Sequence, residues 1–273
     1  MADMTYGVAS ALSPLVRRMV APNPSMMTGP GTNTYLVGID EVAVIDPGPD
    51  DKAHIDAIIG ASMKERVRWI VLTHTHIDHA PGAQRLAKAT GAEIVAFKKD
   101  AVVTPDIVLK DGGVLEGTEW GLEAIHTPGH ASNHLCFFLE EERVLFTGDH
   151  IMGGSTVVIA PPDGNMGDYL RSLERLKKRR IARICPGHGD VIEEPKAKID
   201  EYIKHRLQRE RQIVKQLKVG PARIPELVAK LYADVPEMLH PVAGYSVWAH
   251  LLKLKAEGKV AGRDMKSIWK LSA

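Results

Sequence analysis

The sequence predicts an α/β fold in which two mixed sheets form a sandwich that is covered by helices. Two successive blocks of short apolar runs, each flanked by helical stretches, are typical of this architecture. The 273 residues suffice for one large domain, or for a domain with a small appendage. The hydrophobic content of 44% is ordinary for a soluble globular protein, and no apolar run approaches the roughly 20 residues of a membrane-spanning helix.

The first block of elements begins with a predicted strand at 15–21, followed by a hairpin of strands at 33–38 and 41–45. Asp50 or Asp51 is a suitable N-cap for a helix that ends near Ile59. The elements expected next are a strand at 67–72, a helix at 83–89 and a strand at 93–96. The stretch 97–117 is expected to contain short irregular pieces and strands, whose bounds the pattern does not assign.

The second block contains three predicted strands, a helix and a further strand. The strands are expected at 121–126, 134–139 and 144–147. Asp168 is a suitable N-cap for a helix at 169–178, which precedes a strand at 181–185. A long charged helix is then expected from Pro195 to about Lys218, before the break at Gly220-Pro221.

The C-terminal segment has the outline of a winged-helix module. Helices are expected at 224–232 and 246–257, followed by a hairpin at 260–271. The second helix is mostly apolar, which favours packing, a homodimer contact or a place beside the substrate over reading of a nucleic-acid groove. The predicted division is a catalytic domain at 1–195, a linking helix at 196–219 and a winged-helix-like unit at 220–273.

The strongest chemical signal lies between the strand at 67–72 and the helix at 83–89. His74, His76, Asp78 and His79 fall within six positions on this loop. Open α/β sheets place their chemistry at such strand ends. Residues two apart on an extended segment point the same way, so His74 and His76 can hold one metal ion. Asp78 and His79 fall on the turn into the helix and can face a neighbouring position.

Three further candidate ligands share one context. His130, Asp149 and His188 each lie in a Gly-containing loop after an apolar strand. Small loop residues let the backbone approach a buried metal ion closely. Imidazole and carboxylate ligands suit Zn²⁺, and manganese or iron accept the same nitrogen and oxygen donors.

These four motifs, in this order, resemble those of the metallo-β-lactamase superfamily over roughly residues 15–195. The resemblance implies an αβ/βα four-layer sandwich with a dinuclear site, most simply two zinc ions, in the groove between the sheets. It implies His74, His76 and His130 on one metal ion, Asp78, His79 and His188 on the other, and Asp149 bridging them. The stretches 29–38 and 153–176, with the C-terminal unit, further resemble the β-lactamase-like protein 2 group, which includes a mitochondrial single-strand endoribonuclease.

A metal-bridging hydroxide would attack an ester, thioester or phosphodiester centre, and Asp78 would orient this water or accept its proton. Asp46, which follows a strand, is a candidate for orienting a ligand histidine, although an Asp before Pro also suits a plain turn. By resemblance, Thr32 and Asn33 would line the groove. His134 and His150 lie close enough in sequence to the ligands to support them.

The sequence predicts the substrate less clearly than it predicts the metal site. A phosphodiester such as single-stranded RNA is the first hypothesis, and a thioester or lactone of the glyoxalase-II type is the alternative. A bridging Asp149 is unlike a true β-lactamase, so only weak promiscuous β-lactam hydrolysis is expected. An iron-dependent oxygenase is the hypothesis from another class, but it would need far less than this complete ligand set.

The charge distribution and the two cysteines indicate which partners and which cellular compartment to expect. Residues 196–273 hold 16 Lys and Arg against 8 Asp and Glu, a net charge of +8. This basic segment favours a polyanion or an acidic second subunit, and equally a solvated helical face. Cys136 and Cys185 lie in apolar runs and are expected to be reduced. Residues 1–18 lack the pattern of a signal peptide, so a cytoplasmic protein without a membrane partner is expected.

Overall fold

Seven strands form the first of two mixed sheets in the computed structural model, which describes residues 5–154 and 156–272. The strands are β1 (Ser10–Ala11), β2 (Val16–Val20), β3 (Asn33–Val37), β4 (Glu41–Ile45), β5 (Arg66–Val71), β6 (Glu93–Ala96) and β7 (Ile107–Val108). They lie side by side in chain order. Neighbours from β1 to β4 are antiparallel, and neighbours from β4 to β7 are parallel.

The second sheet has five strands, and β12 lies beside β11 at one edge. The strands are β8 (Val114–Glu116), β9 (Gly121–His126), β10 (Leu135–Leu139), β11 (Val144–Gly148) and β12 (Arg183–Pro186). Strands β8 to β11 form an antiparallel meander, whereas β11 and β12 are parallel. The sandwich of two mixed sheets predicted from the sequence is therefore present, and β7 and β8 fall in the stretch that the pattern left unassigned.

Both sheets belong to a first unit, which comprises residues 5–126, 133–154 and 180–195 of the described chain. Successive side chains of the first sheet enter two different cores. Trp69 and Val71 of β5 pack with the second sheet, while Ile70 packs with the helices α1 (Lys52–Ala61) and α2 (Gly82–Thr90). Because both faces of this sheet are buried, its strands read as continuous apolar runs.

The second unit comprises residues 127–132, 156–179 and 196–272. Its elements are α3 (Met166–Lys177), α4 (Pro195–Val219), α5 (Ile224–Leu231), α6 (His240–Ala256), β13 (Val260–Ala261) and β14 (Lys270–Leu271). Trp269 is fully buried in a core of α5, α6 and the hairpin. Ile213 and Leu217 of α4 join this core, so the last turns of the long helix pack with the C-terminal residues.

Two helix starts differ from the sequence-based expectation. The N-cap of α3 is Asn165, whose side chain accepts from the amides of Gly167 and Asp168, so Asp168 lies in the first turn and is not the cap. Helix α6 begins at His240 and not near Ser246. Pro241 is tolerated in the first turn because a backbone N–H at that position would have no partner within the helix. Within residues 5–154 and 156–272, no helix is long and apolar enough to cross a membrane.

Candidate metal centre

Sheet topology brings the candidate ligands of the first unit to strand ends. Strands β11 and β12 are parallel neighbours, so Asp149 and His188, which follow them, leave the same edge of the second sheet. The loop that carries His74 to His79 follows β5 in the first sheet. The amide of Gly187 donates to the carbonyl of Gly148 at 2.9 Å, which fixes the two ligand loops of the second sheet against each other.

Asp78, His79, Asp149 and His188 bring one ligand atom each within 4.8 Å of one another. The Nε2 atoms of His79 and His188 are 3.2 Å apart. Oδ1 of Asp149 lies 3.4 Å from the first nitrogen and 3.3 Å from the second. Oδ2 of Asp78 lies 3.7 and 3.2 Å from the same two atoms. His79 and His188 are buried, and Asp78 keeps 24% of its side chain exposed.

These separations fit a metal ion. A tetrahedral shell with bonds of about 2.0–2.1 Å has edges of about 3.3–3.4 Å. The five separations given above, 3.2–3.7 Å, are close to this spacing. Gly187 shows the same fit, because a Cβ at this position would lie 2.8 Å from Cε1 of His79 and 2.9 Å from Oδ1 of Asp149. Only glycine leaves that space clear.

The carboxylate of Asp46 sets the orientation of His79. Its Oδ2 lies 2.8 Å from Nδ1 of His79, and since a carboxylate accepts, Nδ1 donates and Nε2 is the ring nitrogen that faces the site. The amide of Thr73 donates to Oδ1 at 2.8 Å and its hydroxyl to Oδ2 at 2.6 Å. Asp46 has a left-handed backbone with φ of 48°, a conformation that aspartate adopts more readily than most residues.

A second buried histidine, His54, contacts Asp46 indirectly, through the hydroxyl of Thr34. The hydroxyl of Thr34 donates to the backbone carbonyl of Asp46 at 2.7 Å, so His54 must donate from Nε2 to that hydroxyl, at 2.9 Å. Burial lowers the pKa of His54 to about 4, which keeps the ring neutral near pH 7. No local sequence pattern indicates this contact, since the partners lie 20 positions apart.

Thr32 and Asn33 are buried and hold the loop that carries His188. The side-chain amide of Asn33 donates to the carbonyls of Pro186 and Gly189, both at 2.9 Å. Thr32 forms a backbone bridge with His188. Nδ1 of His188 donates to the carbonyl of Gly31 at 3.1 Å, so Nε2 is the ring nitrogen that faces the site. These two residues therefore act on a ligand loop and do not present their side chains to solvent.

His74 and His76 face each other on the same loop. Nε2 of His74 and Nδ1 of His76 are 3.0 Å apart, close enough to contact one cation. Thr75, between them, bonds Asp100 and accepts from the side chain of Asn133 at 2.7 Å. Asp100 and Asn133 thus hold the loop through Thr75, and no motif in the sequence indicated this.

His134 and His150 are fully buried in the first unit. The ring of His134 lies 5.1 Å from that of His74, and the ring of His150 lies 5.8 Å from that of His134. The structure thus places His150 one ring further from the loop ligands than His134.

His130 belongs to the segment 127–132 of the second unit. Its Nδ1 donates to the carbonyl of Val158 at 2.7 Å, which leaves Nε2 with a lone pair. The preceding Gly129 has φ of 149°, and a Cβ there would lie 2.4 Å from Cα of Tyr169. His130 is therefore held by carbonyl contact and close backbone packing within this unit.

Protonation of His79 should oppose metal binding. Burial lowers the pKa of His79, but the carboxylates of Asp149 and Asp46 raise it by more, so the pKa of His79 lies well above its ordinary value. Without metal, His79 is then protonated at neutral pH, and a cation must displace this proton. We expect zinc binding at pH 7 to release about one proton or more, and the affinity to rise with pH until the raised pKa is passed.

Calorimetric titration of the metal-free protein with zinc, in two buffers of different ionisation enthalpy, measures this release. Equal heats in both buffers would contradict the expectation. Asp46→Asn is the matched control, because it removes one carboxylate that raises the pKa of His79 and should reduce the number of protons released.

Comparison with known proteins agrees with this geometry. Residues 27–188 match the family model described as Metallo-beta-lactamase superfamily, and residues 224–269 match that of the Beta-lactamase associated winged helix domain. The predicted winged-helix module is thereby confirmed. A metallo-beta-lactamase family protein from Thermus thermophilus, solved by crystallography, is 25% identical with a TM-score of 0.78, covering 96% of this chain and 100% of that one.

Two relatives bear on the group and on its chemistry. The Beta-lactamase-like protein 2 homolog of Drosophila melanogaster is 35% identical, over 91% of this chain and 90% of that protein. The Atrochrysone carboxyl ACP thioesterase of Aspergillus chevalieri is 33% identical, over 92% of this chain and 84% of that protein. With the family model matching more than half of its residues, the chain belongs to the metallo-beta-lactamase superfamily.

Proposed function

We propose that this chain is a hydrolase that uses two divalent cations, zinc in the first place and manganese or iron as alternatives. The convergence of Asp78, His79, Asp149 and His188 at the spacing of a tetrahedral shell carries the proposal. These residues would hold one cation. His74, His76 and His130 would hold the other, with Asp149 between the two, as membership of the family implies.

Two such cations supply a water of lowered pKa and positive charge for the substrate oxygen that becomes negative. Asp78 is the most exposed of the four convergent side chains, at 24%. Burial raises the pKa of Asp78, but the hydrogen bond from His188 and the nearby His79 lower it below its ordinary value. Asp78 is therefore ionised at neutral pH and is suited to accept a proton from the attacking water.

The substrate class with the most direct support is an acyl thioester. A relative that is 33% identical over 92% of this chain is named as a carboxyl ACP thioesterase. Hydrolysis of a thioester adds water to the carbonyl carbon and expels a thiol, so one accessible carboxylate that accepts a proton suits the reaction.

A phosphodiester such as single-stranded RNA is the second candidate. The observation in its favour is the charge of +8 on residues 196–273, since phosphate backbones are bound chiefly through Lys and Arg. Both reactions use the same cations and the same acceptor, so the site alone does not separate them.

Parallel assays of the zinc-loaded protein with an acyl thioester, a single-stranded RNA and a lactone decide between these classes. We expect thiol release that falls by about 10²- to 10⁴-fold in Asp78→Asn, the usual loss when a proton acceptor is removed. Asp56→Asn, an exposed change of the same kind on α1, should leave the rate unchanged.

Other outcomes have definite meanings. RNA cleavage that disappears in Asp78→Asn would replace the thioester by the phosphodiester. Cleavage that persists in this variant would be contamination. One iron per chain with oxygen consumption and no hydrolysis would overturn the hydrolase proposal in favour of an oxygenase.

A further inference from the structure

Arg206 of α4 is a buried cation in the second unit, with an exposure of 2%. Burial of a guanidinium without a carboxylate partner is unfavourable. Among the described residues no carboxylate pairs with Arg206, and its Nε has no hydrogen-bond partner. Its contacts are a hydrogen bond from Nη2 to the carbonyl of Val157 and the ring of Tyr169, whose centroid lies 5.4 Å from the guanidinium carbon.

Both contacts lead to His130 within the same unit. The carbonyl of Val158, next in the chain after Val157, accepts from Nδ1 of His130 at 2.7 Å. The backbone of Tyr169 packs on Gly129, immediately before His130, closely enough to exclude a Cβ. Arg206 therefore fixes the segment that receives the hydrogen bond of His130 and the helix against which the His130 loop rests.

We propose that Arg206 is a positioning residue for His130. The direction of the Val158 carbonyl sets the direction of the Nδ1–H bond, and the rigid imidazole then sets the direction of the Nε2 lone pair. This inference rests on the proposed function, in which His130 holds one of the two cations. It explains why a buried, unpaired guanidinium stands on α4 where an apolar side chain would be easier to bury.

Helix α4 offers a matched control in Arg209, three residues on. Its Nη1 donates to the carbonyl of Leu231, and its guanidinium carbon lies 4.1 Å from the centroid of the Tyr232 ring. Arg209 thus makes the same two kinds of contact, but they lead to the end of α5 and not to His130.

The experiment measures zinc affinity at each of the two sites by chelator competition, together with the absorption spectrum of the cobalt-loaded protein. Arg206→Met should lower the affinity for one zinc ion by about 10- to 100-fold and change the cobalt spectrum. The affinity for the other zinc ion should stay as in the parent. Arg206→Lys keeps a donor for the Val157 carbonyl but not the planar fork, so it should show a smaller loss at the same site. Arg209→Met should bind both ions as the parent does.

Three outcomes decide the matter. Unchanged affinity and spectrum in a folded Arg206→Met would overturn the proposal, as would an equal loss in Arg209→Met. If Arg206→Met does not fold, an unaltered Arg206→Lys would overturn it instead. His130→Ala tests the proposed function separately from this inference. If that variant binds both zinc ions with the affinity of the parent, His130 is not a ligand, and the proposed two-cation function is wrong whatever the role of Arg206.

Discussion

Replacing Asp149 with asparagine is expected to lower hydrolytic activity by at least about 10³-fold, since metal ions contribute several kcal/mol of transition-state stabilisation. Oδ1 of Asp149 lies 3.3–3.4 Å from the Nε2 atoms of both His79 and His188. An amide has the same shape but carries no charge, so it should bind cations weakly at this position. Zinc content measured by metal analysis should fall together with the rate.

The loss must be specific to the site. Asp56→Asn makes the same chemical change on the surface of α1 and should retain full zinc content and rate. Suppose that Asp149→Asn keeps its full zinc content and a rate within about tenfold of the parent. That loss would be far smaller than the several kcal/mol expected of the metal site, and Asp149 would then neither hold a cation nor support the reaction.

The largest expected effect on stability follows removal of the Trp269 side chain. Trp269 is fully buried, its Nε1 donates to the carbonyl of Asp264 at 3.1 Å, and its ring packs directly on Gly262. Truncation of a buried tryptophan to alanine leaves a large cavity and typically costs about 3–5 kcal/mol. We expect Trp269→Ala to lower the free energy of unfolding by this amount, measured by urea denaturation.

Trp248 provides the comparison for the same substitution. It lies on α6 beside a cavity of about 590 Å³, is only half-buried, and packs against the edge of the core in which Trp269 is fully buried. Trp248→Ala should therefore lower the free energy of unfolding by less than half as much as Trp269→Ala. Equal losses in the two variants would contradict the assignment of Trp269 to the centre of the C-terminal core.

Local patterns predicted much of the first unit. Strand β4 at Glu41–Ile45 and strand β6 at Glu93–Ala96 have the bounds that their apolar runs indicated, because short runs that contain valine and isoleucine favour buried strands over helices. The loops that carry the candidate metal ligands were recognisable for a different reason. Several ionisable side chains directly after apolar strands need partners, and a shared metal ion is the simplest partner.

The supporting contacts could not be predicted in the same way. Asp46 meets Thr73 across 27 positions, and Arg206 meets Val157 across 49, so neither pair forms a local motif. Asp100 and Asn133 likewise reach Thr75 only through the tertiary fold. The start of α6 was missed because Pro241 in its first turn and Gly244 further along are usually helix breakers, whereas Gly244 here packs near Met265 and Ile224.

The order of the strands has a consequence for how the protein folds. The first sheet is complete by Val108 and pairs only strands that follow one another in the chain, so it can form before the second sheet is complete. The candidate ligands on the loop after β5 are then in place, but His188 follows the last strand of the second sheet, 80 positions later. A cation that needs both sets of ligands binds only after the two sheets have docked, and it then holds that docked state against reopening.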